Sequence, residues 1–195
     1  MAINSTALPI MDVQPPIADL DGPTLLERLA DCASAARAAG VAVIYVRVGF
    51  RLGYPEICPR PNAILTRFKE VGAFVAGASA EVHEAIAPQP GKILVTRPRV
   101  SAFSGGDVDV VLRARAIDSL VLTGIATSGA VLSTLRQAAD LDFDLTVLSD
   151  GCADPDDEVH RVLIEKIYPS QAQVMTVNDW TRDLAKRQPR TKRAA

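Results

Sequence analysis

The sequence predicts a three-layer α/β/α fold of the Rossmann-like kind, with a central, mostly parallel six-stranded sheet and helices on both faces. Short apolar runs alternate with helical patterns along most of the chain, which is typical of parallel strands joined by crossover helices. The clearest run, Val41–Val48, is nearly all apolar and rich in β-branched residues, as expected of a strand buried on both faces. The length of 195 residues favours a single domain, which we place at residues 1–185.

The first half of the chain contains two strands and one long helix, followed by a long irregular region. In order, the elements are a strand at Ala7–Met11, a helix that begins at Pro23 and ends at Gly40, and a strand at Val41–Val48. Residues 49–77 are rich in glycine and proline and contain one helical pattern, at Ala63–Lys69. A connection of this length in a compact domain is usually a lid, a binding loop or an oligomer contact.

The second half alternates between helices and strands. Helices are predicted at Glu81–Ala87, Asp107–Ala116, Thr127–Leu141, Pro155–Ile167 and Asn178–Lys186. Strands are predicted at Lys92–Thr96, Ser119–Thr123, Asp144–Leu148 and Ala172–Val177. Thr127 or Ser128 is expected to cap the helix that follows the fourth strand.

The charge balance excludes a strong electrostatic field over the whole surface. The net charge is −2, from 21 basic and 23 acidic residues, so we expect no nucleic-acid partner and no anionic membrane partner. No apolar run approaches the ~20 residues that span a bilayer, and the first residues lack the pattern of a signal peptide. The basic segment Lys186–Arg193 could contact a polyanion, but a flexible, solvated tail at residues 186–195 is the simpler expectation.

The cysteines and histidines predict neither disulfides nor a metal site. Cys32, Cys58 and Cys152 are odd in number and form no CxxC pair, which indicates reduced thiols in the cytoplasm. His83 and His160 lie far apart in the chain and lack the spacing of metal ligands. No glycine-rich nucleotide-binding pattern is present, so we expect no metal and no organic cofactor.

The candidate site lies at the carboxyl ends of the strands, where open parallel sheets bind ligands. The polar groups expected there are Asp12, Gln14, Arg47, Arg51, Arg97, Arg99, Ser149 and Asp150. After the fourth strand, Gly124–Ala130 is a run of small residues that opens a helix. Either its backbone N–H groups bind an anion, or its glycine and alanine residues simply allow a tight turn between strand and helix.

Asp12 is the leading catalytic candidate because it follows an apolar strand. Burial raises the pKa of such a carboxyl, and a neighbouring Arg97 lowers it again, which is how a carboxylate is tuned for proton transfer. A purely structural role for this carboxylate in a loop or ion pair is an equal alternative. Ser128, Thr127 and Ser133 lie near the fourth turn, but no histidine is evidently placed to act as their base.

Five motifs, in their order and spacing, make the chain resemble the isochorismatase-like hydrolases, also called the cysteine hydrolase superfamily. They are Met11–Gln14, Phe50–Glu56, Arg97–Phe103, Thr123–Thr134 and Asp150–Asp154. The resemblance extends from about residue 7 to residue 180 and implies the fold predicted above. It also implies a cis peptide at Ile125–Ala126 and assembly as a homodimer or homotetramer. The apolar loop residues Phe68, Phe74 and Val75 agree with an oligomer contact.

The resemblance implies a catalytic triad of aspartate, lysine and cysteine, from which this sequence departs twice. Asp12 matches the aspartate, but Arg97 stands at the lysine position and Ala130 at the cysteine position. Alanine offers no nucleophile, and arginine stays charged and is a poor proton donor. Substrate contacts are expected from further residues that match the family pattern, namely Gln14, Arg51, Arg99, Phe103, Ile125, Ala126 and Ser128.

Two functions follow as hypotheses. The first is a hydrolase that acts on a small carboxylated molecule, such as an enol ether, through acid/base chemistry at Asp12. Isochorismatases, within the same resemblance, also work without the cysteine, by protonating an enol carbon. The second is a catalytically inactive member that binds a small molecule or a protein.

Overall fold

The computed structural model describes residues 5–18, 23–60, 62–75, 77, 80–88 and 91–187, and within them the predicted central sheet is confirmed. The six strands are β1 (Thr6–Met11), β2 (Ala42–Val48), β3 (Ile93–Arg97), β4 (Ser119–Ile125), β5 (Asp144–Ala153) and β6 (Gln173–Met175). They form one sheet in the order β3-β2-β1-β4-β5-β6, and every neighbouring pair is parallel. The strand order therefore reverses at β1 and β4, which places the ligand crevice above the carboxyl ends of these two strands.

Helices cover both faces of the sheet. They are α1 (Pro15–Ala18), α2 (Pro23–Ala38), α3 (Ala63–Glu70), α4 (Val108–Ala114), α5 (Leu132–Asp140), α6 (Asp157–Val162) and α7 (Val177–Arg187). Successive residues of β1 point to opposite faces, so Leu8 and Ile10 pack with α2 and α7, whereas Ala7 and Met11 pack with α4 and α5. All six residues of β1 are buried, which explains why the five that follow Thr6 are apolar.

Several predicted boundaries were wrong. The predicted helix at 81–87 is only a 3-10 turn at Glu84–Ile86. The predicted fifth strand extends five residues further, because β5 bulges between its pairings with Leu122 and Gly124 of β4. The helix predicted from Pro155 begins at Asp157, since the Asp156 carboxylate accepts the backbone N–H groups of the first turn. Finally, α7 includes Lys186 and Arg187, so the first two residues of the predicted tail are helical; residues 188–195 lie outside the described part.

The long irregular region folds back over the carboxyl ends of β2 and β3. Phe50, Tyr54, Phe68 and Phe74 form an aromatic cluster within it, with neighbouring ring centroids 5.1–6.3 Å apart. Phe74 is buried, and Phe68 and Val75 are half-buried against the same cluster. The apolar residues that suggested an oligomer contact are thus packed within the chain.

In the part of the chain that the structure describes, no helix has the length and hydropathy of a membrane span.

Gly124 allows β1 and β4 to approach each other beneath the candidate site. Its φ is +131°, and a Cβ atom at this position would lie 2.1 Å from the carbonyl oxygen of Met11. Glycine is the residue that combines this backbone conformation with so close an approach. The two central strands are consequently held together just below Asp12.

We expect Gly124→Ala to destabilise the protein by about 3 kcal/mol or more, because the added methyl group collides with backbone that cannot move aside. Urea denaturation measures this effect. The control is Gly129→Ala in the next turn, where the nearest atom to the added Cβ is 3.7 Å away and little change is expected. Equal stability of the two variants would show that the strands can separate to accept the methyl group.

Candidate active site

A buried ion pair between Asp12 and Arg97 forms the floor of the candidate site. Asp12 directly follows β1 in a left-handed conformation (φ 56°), which aspartate tolerates better than most residues, and its backbone N–H donates to the carbonyl of Val46 at 2.8 Å. Arg97 is the last residue of β3, two strands away. Its Nη2 donates to Asp12 Oδ2 at 2.7 Å, so the side chain reaches across the end of β2. Arg97 is 1% exposed and Asp12 is 8% exposed.

The Asp12 carboxyl group keeps its proton to a higher pH in this environment than a free aspartate does in water. Burial raises the pKa of its carboxyl group, and the charge and hydrogen bond of Arg97, together with a weaker effect of the Val48 backbone N–H, offset this rise only in part. The second carboxylate oxygen, Oδ1, is buried and has no hydrogen-bond partner among the described residues, and the same holds for Arg97 Nε. One oxygen of Asp12 is therefore fixed by Arg97, and the other is a buried oxygen without a hydrogen bond to any described residue, in a residue that lines the candidate cavity.

A cavity of about 450 Å³ opens above this ion pair, within the size range of small-molecule sites. Its only acidic lining residue among those described is Asp12, whereas Arg67, Arg97 and Arg99 supply positive charge. Most of the remaining wall is apolar. The balance of charges at the site therefore favours an anionic ligand.

The turn after β4 forms one side of the cavity, through Ile125, Ala126, Gly129 and Ala130. The Ile125–Ala126 peptide bond is cis. Residues Thr127–Val131 continue as a single π-helical turn that leads into α5. The prediction that Thr127 or Ser128 caps this helix was wrong, because Ala126 occupies the N-cap position and no side chain caps the turn there.

Side chains from the α6 region hold this turn in place. The backbone N–H of Ser128 donates to Asp154 Oδ2 at 2.7 Å, and the hydroxyl of Tyr168 donates to the carbonyl of Thr127 at 2.6 Å. The hydroxyl of Thr127 lies 2.8 Å from Nδ1 of His160. Local sequence patterns do not indicate this histidine contact, since the two residues are 33 positions apart. Thr127 is fully buried, so the contact serves to position the turn.

The family model of the isochorismatase domain matches residues 6–179, which is most of the chain. The chain belongs to the isochorismatase family. It is 36% identical over 175 residues to a ureidoacrylate amidohydrolase from Stutzerimonas stutzeri, covering 77% of this chain and 71% of that protein. An uncharacterised isochorismatase family protein from Escherichia coli O157:H7 is 33% identical over 186 residues, covering 90% of this chain and 94% of that one.

Solved structures show the same fold. A cysteine hydrolase from Pseudomonas syringae pv. phaseolicola superposes with a TM-score of 0.85 at 25% identity, covering 95% of each chain. An isochorismatase family protein from Burkholderia thailandensis superposes with a TM-score of 0.78 at 27% identity, covering 93% of this chain and 96% of that one. These similarities confirm the predicted superfamily and its α/β/α architecture.

The structure brings about half of the predicted site residues of this isochorismatase-family member to the cavity. Those that line it are Asp12, Arg97, Arg99, Ile125, Ala126 and Ala130. The others have different surroundings. The Gln14 side chain is buried and bonds the backbones of Val48 and Ala80. Arg51 pairs with Glu56 at 2.7 Å, and Phe103 packs against Phe143 with ring centroids 5.7 Å apart. Ser128 is exposed and is held through its backbone.

Sequence reasoning missed the contribution of α3. Ile64, Arg67, Phe68 and Val71 line the cavity and recur at the i, i+3, i+4 and i+7 spacing of one helix face. The spacing was visible in the sequence. However, 14 residues separate the end of β2 from α3, so the sequence could not show what that face covers.

The cysteines lie away from the cavity, and residue 130 at its wall is alanine. Cys32 and Cys152 are buried, and burial raises the pKa of each thiol to about 12. Cys58 is exposed on the long loop, where a hydrogen bond from Arg60 lowers the pKa of its thiol. Within the described residues, no group of three or more histidine, cysteine or acidic side chains is placed to hold a metal ion.

We expect Arg97→Met to lower the free energy of unfolding at neutral pH by about 3–5 kcal/mol, because it leaves the Asp12 carboxylate buried without a counter-charge. The double variant Asp12→Asn/Arg97→Met should recover much of this loss, since it removes both charges together. Urea denaturation of Arg97→Met, Asp12→Asn and the double variant gives the coupling free energy between the two side chains.

The matched control for this ion pair is the exposed pair of Arg113 and Asp109, whose atoms Nε and Oδ2 are 2.8 Å apart. Arg113→Met should have little effect, since solvent screens that pair. Comparable losses from Arg97→Met and Arg113→Met would contradict the argument from burial.

Proposed function

We propose that this isochorismatase-family protein is a hydrolase that acts on a small carboxylated molecule through acid/base chemistry at Asp12, without a cysteine nucleophile. The observation that carries the proposal is the state of the Asp12 carboxyl group. One of its oxygens is bonded to Arg97, the other has no partner within the described residues, and burial raises its pKa. A carboxyl group placed in this way at a cavity is suited to proton transfer.

Hydrolysis of an enol ether is the reaction that these groups support best. The protonated carboxyl of Asp12 transfers its proton to the enol carbon, which leaves an oxocarbenium ion. Water adds to this ion and loses a proton, which restores the carboxyl group, and the resulting hemiketal breaks into a carbonyl compound and an alcohol. The reaction needs an acid, a site for the substrate carboxylate and a sheltered cavity.

The arginines serve binding in this proposal. A guanidinium is a poor proton donor, so the role that we assign to Arg97 is to hold Asp12 and to attract an anion. Arg99 lies at the cavity wall and supplies a second positive charge for the substrate carboxylate. The backbone N–H groups of Ala126 and Ala130 are the donors we assign to negative charge on the substrate.

A thioester mechanism is not proposed, because the residue at the cavity wall is Ala130 and each cysteine lies elsewhere. The relatives named ureidoacrylate amidohydrolase act on an amide-type bond in a molecule that also carries a carboxylate. Ureidoacrylate therefore belongs in the assay beside isochorismate and simple amides.

We expect Asp12→Asn to reduce kcat/KM by about 10²–10⁴-fold, since the amide cannot transfer the proton. The matched control is Asp109→Asn, which alters another arginine-bound carboxylate but at the protein surface, and it should retain full activity. Circular dichroism shows whether both variants remain folded. Full activity of a folded Asp12→Asn protein would exclude Asp12 as the acid.

The pH dependence of kcat/KM of the wild-type protein shows whether Asp12 acts as an acid or as a base. The pKa of Asp12 lies above its ordinary value of 3.8, and the acid form is the active one. The kcat/KM should therefore fall as pH rises through the raised pKa, by about tenfold per pH unit beyond it. A rise with pH over the same range would indicate a base instead.

A second candidate is a member that binds a small molecule without converting it. The observation in its favour is Ala130 at the wall of an otherwise well-formed cavity. If the assayed substrates are not converted, and a carboxylated metabolite nevertheless raises the melting temperature, this candidate replaces the hydrolase.

Ala130→Cys tests whether the site around residue 130 still activates a nucleophile. The variant is made in a Cys58→Ser background, because Cys58 is exposed and would also be alkylated. Cys32 and Cys152 can stay, since they are buried and unreactive. We expect alkylation by iodoacetamide at least tenfold faster than that of free cysteine at pH 7, since the arginines at the cavity stabilise the thiolate. A rate equal to that of free cysteine would mean that the surroundings of residue 130 no longer support this chemistry.

A further inference from the structure

We propose that the ligand of this cavity combines a single carboxylate with an apolar body of several carbon atoms, and that the α3 face Ile64–Val71 selects for that body. The inference rests on the proposed function for the position of the reacting bond, which lies at Asp12. It adds the chemical class of the rest of the molecule. Two independent features of the cavity support it: Arg99, whose guanidinium is held by neutral backbone acceptors, and the apolar wall.

Arg99 is the positive group available to a ligand carboxylate. Its Nη1 donates to the carbonyl of Pro98 at 2.7 Å and its Nη2 donates to the carbonyl of Glu56 at 3.0 Å. These neutral acceptors fix the guanidinium in place without cancelling its charge. No carboxylate lies within ion-pair distance of it in the part of the chain that the structure describes. Arg97, by contrast, is already paired with Asp12. One fixed charge of this kind matches one carboxylate.

The apolar wall extends from the floor of the cavity to its rim. Among its lining residues, Ile125 and Phe74 are buried and Ile17 and Phe68 are half-buried. Ile64 and Val71, on and just after α3, are exposed and form the outer edge. At this edge Ile64 is 41% exposed and Val71 is 69% exposed. Single exposed apolar residues are common, but these two continue an apolar surface that begins beside the catalytic candidate.

A small molecule fits these features better than a protein segment. The volume of about 450 Å³ is that of a small-molecule site, and the half-buried Arg99 lies at its wall. A ligand that places its carboxylate on Arg99 and its reacting bond over Asp12 would leave the remainder of its body against α3. Each methylene in that remainder would remove apolar surface of both partners from water.

The probes are acetate, butyrate, hexanoate and octanoate, which contain no hydrolysable bond. Their binding is measured by calorimetry on the full chain and does not depend on turnover. We expect affinity to rise about threefold to fourfold for each added methylene between butyrate and octanoate. Hexanol, which lacks the carboxylate, should bind at least tenfold more weakly than hexanoate, and Arg99→Gln should remove most of that difference.

Ile64→Ser and Val71→Ser should reduce the affinity gain per methylene at the octanoate end of the series. Two exposed apolar residues outside the cavity serve as matched controls, because Leu141 is 41% exposed and Val110 is 67% exposed. Leu141→Ser and Val110→Ser should leave the whole series unchanged. Circular dichroism verifies that all four variants retain the fold.

Equal affinity for all four carboxylates would overturn the inference. It would also be overturned if Ile64→Ser and Val71→Ser changed the sedimentation coefficient but not the chain-length series, because the rim would then be a contact between copies of the chain. Turnover that depends on Asp12 without a chain-length effect would leave the proposed function standing and remove this inference alone. A chain-length effect without any turnover would remove the catalytic proposal and leave the ligand class.

Discussion

The ion pair between Asp12 and Arg97 is the interaction on which the rest of the site depends. It joins the ends of two strands that are not neighbours, and it does so in a place from which water is largely excluded. Burying either charge alone is costly, so each residue fixes the position of the other. Because Arg97 bonds only one carboxylate oxygen, the same pair that forms the floor of the cavity leaves the other oxygen buried without a hydrogen bond to the described part of the chain.

The central strands and the following turn keep that floor in place. Gly124 brings β4 against the end of β1, and the bulge in β5 accommodates the continuation of β4 past this point. Beyond it, Asp154 and Tyr168 bond the backbone of Ser128 and Thr127. The wall that contains Ala130 is thus held from the α6 side, whereas the arginines are held from the β3 side. The two halves of the cavity have separate supports.

The cavity has a charged side and an apolar side. Charge is concentrated where β1 and β3 end, and apolar surface is concentrated on α3 and the aromatic cluster beneath it. With alanine at residue 130, the cavity still contains the Asp12 carboxyl group, the arginines and the apolar wall. In the function that we propose, proton transfer at Asp12 decides what happens to a ligand, and the α3 face of the long loop decides which ligand is accepted.

The sequence by itself determined the family and the parallel sheet, and it predicted a candidate site at the strand ends. Apolar runs that alternate with helical patterns, and the order of the motifs, can be read directly from the chain. It also identified Asp12, Arg97 and Ala130 as neighbours in one site through their resemblance to a known pattern. Only the tertiary structure decided that Gln14 is a buried structural amide, that His160 meets Thr127, and that α3 forms the apolar wall. Each of these contacts joins residues more than 30 positions apart or depends on the path of a long loop. Such contacts arise from packing, and local sequence patterns do not encode them.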